Sequence, residues 1–280
     1  MKHLTDILKS SMTSLHESIF DDDIVTRKAD PKESIINFLK ENYSLFGFNS
    51  DKYNNITNDN IVIKEKAGKY LVDIPYGDVT VENLAIKSLT NDLFEFDVMY
   101  GDFKCNGCRN LKSLKGSPRE VNGSFECNNC RELESLEGSP DYCRNFECSM
   151  CPKLKSLKGA PKEIETTIDC SSCKNLESLE GLSLKKIYGD FCCGDCPKLK
   201  SLKGAPKEVR GVFNCSHCDM LKDLQGAPRT VRHEFNCDFC ENLKSFKGMP
   251  KSCRYLSCEG CSNLDPESLL DIDFDYDIYS

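Results

Sequence analysis

The feature that most constrains this chain is a pair of cysteines that returns every 21 to 23 residues. The first member of each C-x-x-C pair falls at Cys105, Cys127, Cys148, Cys170, Cys193, Cys215, Cys237 and Cys258, with steps of 22, 21, 22, 23, 22, 22 and 21. The surrounding unit reads F-x-C-x-x-C-x-x-L-x-S-L-x-G-[AS]-P-x-x-V. One apolar column runs Phe103, Phe125, Phe146, Ile168, Phe191, Phe213, Phe235 and Leu256, and another runs Leu111, Leu133, Leu154, Leu176, Leu199, Leu221, Leu243 and Leu264. A unit of this size has too few apolar residues to bury a core alone, so consecutive units must stack and share one.

Within a unit, F-x-C alternates as a strand does, with Phe and Cys on one face and the residue between them on the other. The Gly-[AS]-Pro triplet then turns the chain, Gly through its backbone freedom and Pro through its fixed φ. The expectation is a β-rich repeat solenoid with one short parallel strand per rung. Upstream, "VTVENLAIKSL" is a degenerate first rung, with Val79, Val81 and Leu84 where later units have Phe, Cys and Cys. The solenoid is therefore expected over residues 76–264.

A stack of rungs exposes core at both ends and needs caps. Residues 31–75 are expected to form a small α+β cap. In it, Asp30 caps a helix over 31–43 that starts at Pro31, with Glu33 completing a capping box. A hairpin turning at Ala67-Gly68 follows. Residues 265–280 are expected as an acidic C-terminal cap, because Asp271, Asp273, Asp275 and Asp277 alternate with Ile272, Phe274, Tyr276 and Ile278. Residues 1–30 form an N-terminal arm with Leu4, Ile7, Leu8, Met12, Leu15 and Ile19 at helical spacing.

The stretch V-x-x-x-F-x-C-x-x-C-x-x-L resembles the leucine-rich repeat consensus, in the variant with Cys at the Asn position and one extra residue after it. Runs such as "LKSLKGAPKEV" are also similar to uncharacterised leucine-rich repeat proteins of tailed bacteriophages, and Leu15-His16-Glu17 resembles a prohead-protease site. The resemblance implies a recognition surface on the concave strand face. It also implies that the second Cys of each pair points inward to meet backbone groups at the bend.

Consecutive C-x-x-C pairs have the spacing of four-cysteine zinc sites. The alternative zinc ligands are Cys105, Cys108, Cys127, Cys130, Cys148, Cys151, Cys170 and Cys173. Two observations favour a ladder of reduced thiols with no cofactor. Apolar residues fill the cysteine positions of the degenerate rung. Cys143 and Cys253 stand in the column otherwise held by Val121, Ile164, Ile187, Val209 and Val231, so cysteine here behaves as a small hydrophobe. Cys192 alone takes an outward strand position and is expected to be the most reactive thiol.

There are 19 cysteines, and the first twenty residues lack the apolar stretch of a secretory leader. That points to a reducing, cytoplasmic setting, with a phage virion as the alternative. No window approaches the length of a membrane span. The net charge of −8 divides unevenly: residues 1–100 carry 11 bases and 17 acids, 101–262 carry 26 and 22, and 263–280 carry 6 acids. This is not the profile of a general nucleic-acid binder.

Charges flanking the second leucine alternate from rung to rung, through Lys112, Glu134, Lys155, Glu177 and Lys200, and through Lys115, Glu137, Lys158, Glu180 and Lys203. Beyond them Lys222, Arg229, Arg232, Lys244, Lys247 and Arg254 are expected to form a basic patch suited to an anionic partner. The outward strand column supplies the candidate partner-binding residues Lys104, Glu126, Glu147, Asp169, Asn214 and Asn236, with Phe239 and Tyr255 beside it. The four histidines, His3, His16, His217 and His233, show no catalytic spacing. The expected function is non-enzymatic binding of a macromolecule, most simply a protein, through the strand face. The alternatives are a phage virion or host-takeover component with the solenoid as spacer, and a zinc-binding repeat protein.

Overall fold

The structure, a computed structural model, describes residues 30–41, 61–75, 77–81, 86–90 and 94–270. The N-terminal arm up to residue 29, its Leu15-His16-Glu17 motif, Leu84 and the alternating stretch 271–280 lie outside the described residues.

The described chain is a β-solenoid of about eight turns, with mostly parallel strands in one 15-stranded sheet and a short N-terminal helix. Helix α1 (Pro31–Glu41) begins where the Asp30 carboxylate accepts the Lys32 amide at 3.0 Å. Strands β1 (Val62–Lys66) and β2 (Lys69–Ile74) form an antiparallel hairpin. Ala67 and Gly68 both take positive φ, 52° and 76°, as a tight hairpin turn needs. Strand β2 then pairs in parallel with β4 (Glu95–Met99), so the hairpin starts the solenoid's own ladder. β3 (Val79–Thr80), in the degenerate rung, pairs in parallel with β5 (Phe103–Lys104).

Below, the rungs are numbered 1 to 8 by their C-x-x-C pairs, Cys105 to Cys258. The strand expected at Phe-x-Cys is present, and a second ladder joins it at the β-branched column. In rungs 2, 3, 7 and 8 the two segments fuse into single strands: β6 (Glu120–Glu126), β7 (Tyr142–Glu147), β14 (Thr230–Asn236) and β15 (Ser252–Ser257). In rungs 4 to 6 they are separate, as β8 (Glu163–Ile164) with β9 (Ile168–Asp169), β10 (Lys186–Ile187) with β11 (Phe191–Cys192), and β12 (Glu208–Val209) with β13 (Phe213–Asn214).

The unequal steps of the repeat have local structural causes. Both 21-residue steps end on strands one residue shorter than their neighbours, β7 and β15, and the register shifts where each meets the longer strand. Cys143 and Cys253 both sit in these short strands. In the 23-residue step, Gly-Leu-Ser-Leu replaces Gly-[AS]-Pro at residues 181–184. There the β-branched ladder loses its strand pairing between β8 and β10, and Tyr188 and Gly189 instead donate to the Glu165 and Thr166 carbonyls.

Identical inward residues fall above one another because parallel strands lie about 4.8 Å apart in register. Phe103, Phe125 and Phe146 stack at centroid distances of 5.6 and 6.0 Å. Phe191, Phe213 and Phe235 stack at 5.1 and 5.4 Å, with Ile168 between the two groups. Each ring is about fully buried, which contributes roughly 1.5–3 kcal/mol apiece. The turn glycines must be glycine on two grounds. Gly204 has φ +103°, and a Cβ there would stand 2.2 Å from the Leu179 carbonyl oxygen of the preceding rung.

Candidate binding surface

Each C-x-x-C pair makes a tight bend whose second intervening residue is left-handed. Asn129, Met150, Ser172, Asp195, His217 and Phe239 have φ of 54–56°, and Gly107 and Gly260 occupy the same column. The amide at this position donates to the next rung, as from Met150 to the Ser171 carbonyl at 2.9 Å. Both cysteines consequently face inward, and in rungs 1 to 7 all fourteen are buried.

The second cysteine of each pair donates its thiol to a carbonyl of the preceding rung. Cys130 reaches Cys105 O at 3.1 Å, Cys151 reaches Cys127 O at 3.2 Å, Cys173 reaches Cys148 O at 3.2 Å and Cys218 reaches Cys193 O at 3.3 Å. The ladder begins with Cys108 on Val81 O at 2.8 Å and ends with Cys261 on Cys237 O at 3.1 Å. Burial holds the donors protonated by pushing Cys173, Cys196 and Cys240 each up to about 12. Burial likewise raises Cys127, Cys148 and Cys170 in the first column. Cys105 and Cys130 titrate as a pair, in which the contact with Cys130 and then burial raise Cys105. Among the described residues no three His, Cys, Asp or Glu side chains gather as metal ligands.

Cys192 points outward and is half-buried, as the strand alternation predicts, but Cys253, Cys258 and Cys261 are half-buried too. Burial, and then Asp169 and Asp190, push Cys192 up to about 11. In the last rung Leu256 and Leu264 are also only partly covered, because among the described residues β15 pairs with β14 alone.

The outward strand column brings Lys104, Glu126, Glu147, Asp169, Cys192, Asn214, Asn236 and Ser257 together, all half-buried and in register. Lys104 pairs with Glu126 at 2.8 Å and with Asp102 at 3.3 Å, and its pKa is raised chiefly by the Glu126 bond. The Asn106 amide donates to Glu126 at 2.8 Å, and the Asn128 amide to Glu147 at 3.0 Å. Glu147 stands directly between Glu126 and Asp169. Its carboxyl is held above its ordinary range by partial burial, which the Asn128 amide opposes and the charges of Glu126 and Asp169 reinforce.

Phe239 and Tyr255 occupy different places. Phe239 belongs to the left-handed column, where its ring stacks on His217 at 4.8 Å and covers Gly260. Tyr255 lies in β15 opposite Glu234, with the Arg254 guanidinium 5.3 Å from its ring centroid. The left-handed column could have been found in the sequence, since Gly107, Asn129, Asp195 and Gly260 are residue types that tolerate this conformation.

The expected basic patch divides in two. Lys222 and Lys244 lie on successive leucine turns, where the Lys244 amide donates to the Lys222 carbonyl at 3.0 Å, and Lys247 follows on the same turn. Arg232 and Arg254 lie ten residues after Lys222 and Lys244, close to half of a turn away, beside the strands. Arg229 stands at the entry to β14. The strand-side cations surround Glu208, which takes Lys186 at 3.3 Å, Arg210 at 3.4 Å and Arg232 at 3.3 Å. Tyr188 lies within reach of both Lys186 (5.0 Å) and Arg210 (4.6 Å).

A cavity of about 430 Å³, which no sequence pattern marked, opens between Leu89-Thr90, the start of β4 and the Gly-Ser-Pro turns of rungs 1 and 2, beside Phe94, Lys115, Pro118, Arg119 and Asp141. Among the described residues no helix is long and apolar enough to cross a membrane. Compared with models of known families, with curated proteins and with solved structures, the chain has no match.

Proposed function

We propose that this chain is a non-enzymatic binding module whose strand face recognises a protein partner. The observation that carries the reading is the in-register column Glu126, Glu147 and Asp169. Like charges directly opposite one another on adjacent strands are destabilising. On the leucine turns, rungs 1 to 5 alternate in sign instead, and Lys115 pairs with Glu137 at 3.1 Å and Lys200 with Glu177 at 2.6 Å. A chain that alternates sign on one face but sets three acids in register on the other, with Lys104 opposite Glu126 as the basic residue of that column, is supported as keeping Glu147 and Asp169 for an external partner. The resemblance to leucine-rich repeats, whose strand face is the recognition surface, supports the same assignment. The free thiols suit a reducing, cytoplasmic setting.

The test is a triple reversal, Glu126→Lys, Glu147→Lys and Asp169→Lys, against a control reversal of Glu134, Glu177 and Glu180 on the leucine turns. The strand-face variant is expected to lose at least tenfold in affinity for the captured partner, with its thermal midpoint lowered no more than that of the control, since each breaks an ion pair, Lys104–Glu126 in the first and Lys200–Glu177 in the second. Equal losses in both variants, or none in either, overturn the reading.

A further inference from the structure

Charge on the strand face is divided along the solenoid. Over the strand segments of rungs 2 to 4, residues 119–126, 141–147 and 162–169 carry seven acids and three bases. Over those of rungs 6 to 8, residues 207–214, 229–236 and 251–257 carry six bases and two acids. The face thus has an excess of four negative charges in one half and four positive charges in the other.

The basic half is organised in columns. Lys185, Lys207, Arg229 and Lys251 follow one another through backbone bonds from Lys207 to Lys185 O (3.0 Å), Arg229 to Lys207 O (2.8 Å) and Lys251 to Arg229 O (2.8 Å). Arg210, Arg232 and Arg254 stand three residues further on in the same rungs, next to the paired Val209, Val231 and Cys253. Four rungs at about 4.8 Å spacing give a strip about 14 Å long. An extended peptide covers that length with four or five residues.

We propose that the strand face binds a polypeptide segment of opposite polarity, with a short acidic stretch over rungs 5 to 8 that continues into basic residues over rungs 2 to 4. This rests on the strand face being the binding surface and specifies its partner. A uniform polyanion such as nucleic acid is disfavoured, because beyond about four rungs it would run onto the acid-rich half. Arginine suits the basic half, since its planar fork matches a carboxylate in bidentate geometry.

The experiment is fluorescence anisotropy of the full chain with three labelled probes in 20 mM salt. They are a twelve-residue bipolar peptide, in which a run of glutamates is joined through two glycines to an equal run of lysines, a twelve-residue polyglutamate, and a twelve-nucleotide oligothymidylate. The bipolar peptide is expected to bind at least tenfold more tightly than either uniform probe and to weaken as salt is added. Arg210→Glu with Arg232→Glu should lower its affinity at least tenfold, whereas Lys222→Glu with Lys244→Glu should leave it unchanged. Tighter binding of either uniform probe, or no binding of the bipolar peptide, overturns the proposal. So does self-association in sedimentation that the Arg210/Arg232 variant abolishes, which would make a second copy the occupant. If the peptides fail while the Glu126/Glu147/Asp169 reversal still abolishes partner capture, only the polarity assignment falls and the strand face stands.

Discussion

The thiol ladder makes a quantitative prediction at Cys173, in the middle of the stack. Its side chain is buried and donates to the Cys148 carbonyl at 3.2 Å. Among the described residues no backbone amide donates to that carbonyl, so the thiol is its hydrogen-bond partner. Cys173→Ala deletes one buried heavy atom, worth about 0.8 kcal/mol by analogy with a methylene. A residual cavity of about 25 Å³ adds roughly 0.6 kcal/mol. Leaving the acceptor unpaired adds about 1–3 kcal/mol, for a total of about 3 kcal/mol. Cys173→Ser keeps a donor at the same position, so its loss should be nearer about 1 kcal/mol. The assay is urea unfolding under reductant, with and without a metal chelator. The expected order is wild type, then Ser, then Ala, with chelator moving none of the midpoints. If Ser and Ala lose equally and the wild-type midpoint falls with chelator, the cysteines are zinc ligands and the hydrogen-bond reasoning is refuted. Equal stability of Ala and wild type would refute it from the other side.

Three further outcomes are expected. Met150 is half-exposed, at 52%, and left-handed at φ 54°, a conformation costing a non-glycine residue about 1–2 kcal/mol. Met150→Gly should therefore raise the free energy of unfolding by up to about 1 kcal/mol after the entropic loss of glycine is subtracted, and a lower value would show that the Met side chain is held by contacts. For Glu147 the folded pKa is raised, so its contribution to stability is present below the unfolded value and is lost as pH rises through the folded one. Glu147→Gln should then be more stable than wild type at pH 7 by a few tenths of a kcal/mol. The two should converge below about pH 4, and a wild type more stable at pH 7 would contradict this. In native alkylation followed by peptide mapping, Cys192, Cys253, Cys258 and Cys261 should label before the 15 buried cysteines; early modification of Cys148 or Cys173 would mean that the rungs open far more readily than their packing implies.

Much of the fold was legible in the chain because a stacked repeat converts sequence period directly into spatial register. The Phe column and both leucine columns could be placed inside by counting. Cys143 and Cys253 could be recognised as core residues because they replace valine and isoleucine. The hairpin at Ala67-Gly68 follows from local turn chemistry. The candidate surface was legible only in part: strand alternation puts Glu126, Glu147 and Asp169 outward, but says nothing of what lies beside them around the turn.

By itself, then, the sequence determined which residues face the core and that the units stack, since alternation and translation along the axis are local rules repeated eight times. Only the tertiary structure decided what depends on position around each turn or on a neighbour some 22 to 25 residues away. The acceptor of the Cys173 thiol is a carbonyl 25 residues earlier. Met150, His217 and Phe239 are variable in the sequence, yet share one left-handed backbone position that the bend imposes. Lys244 and Arg254 read as one basic patch when counted along the chain, and stand apart because ten residues carry the backbone nearly half-way round a rung.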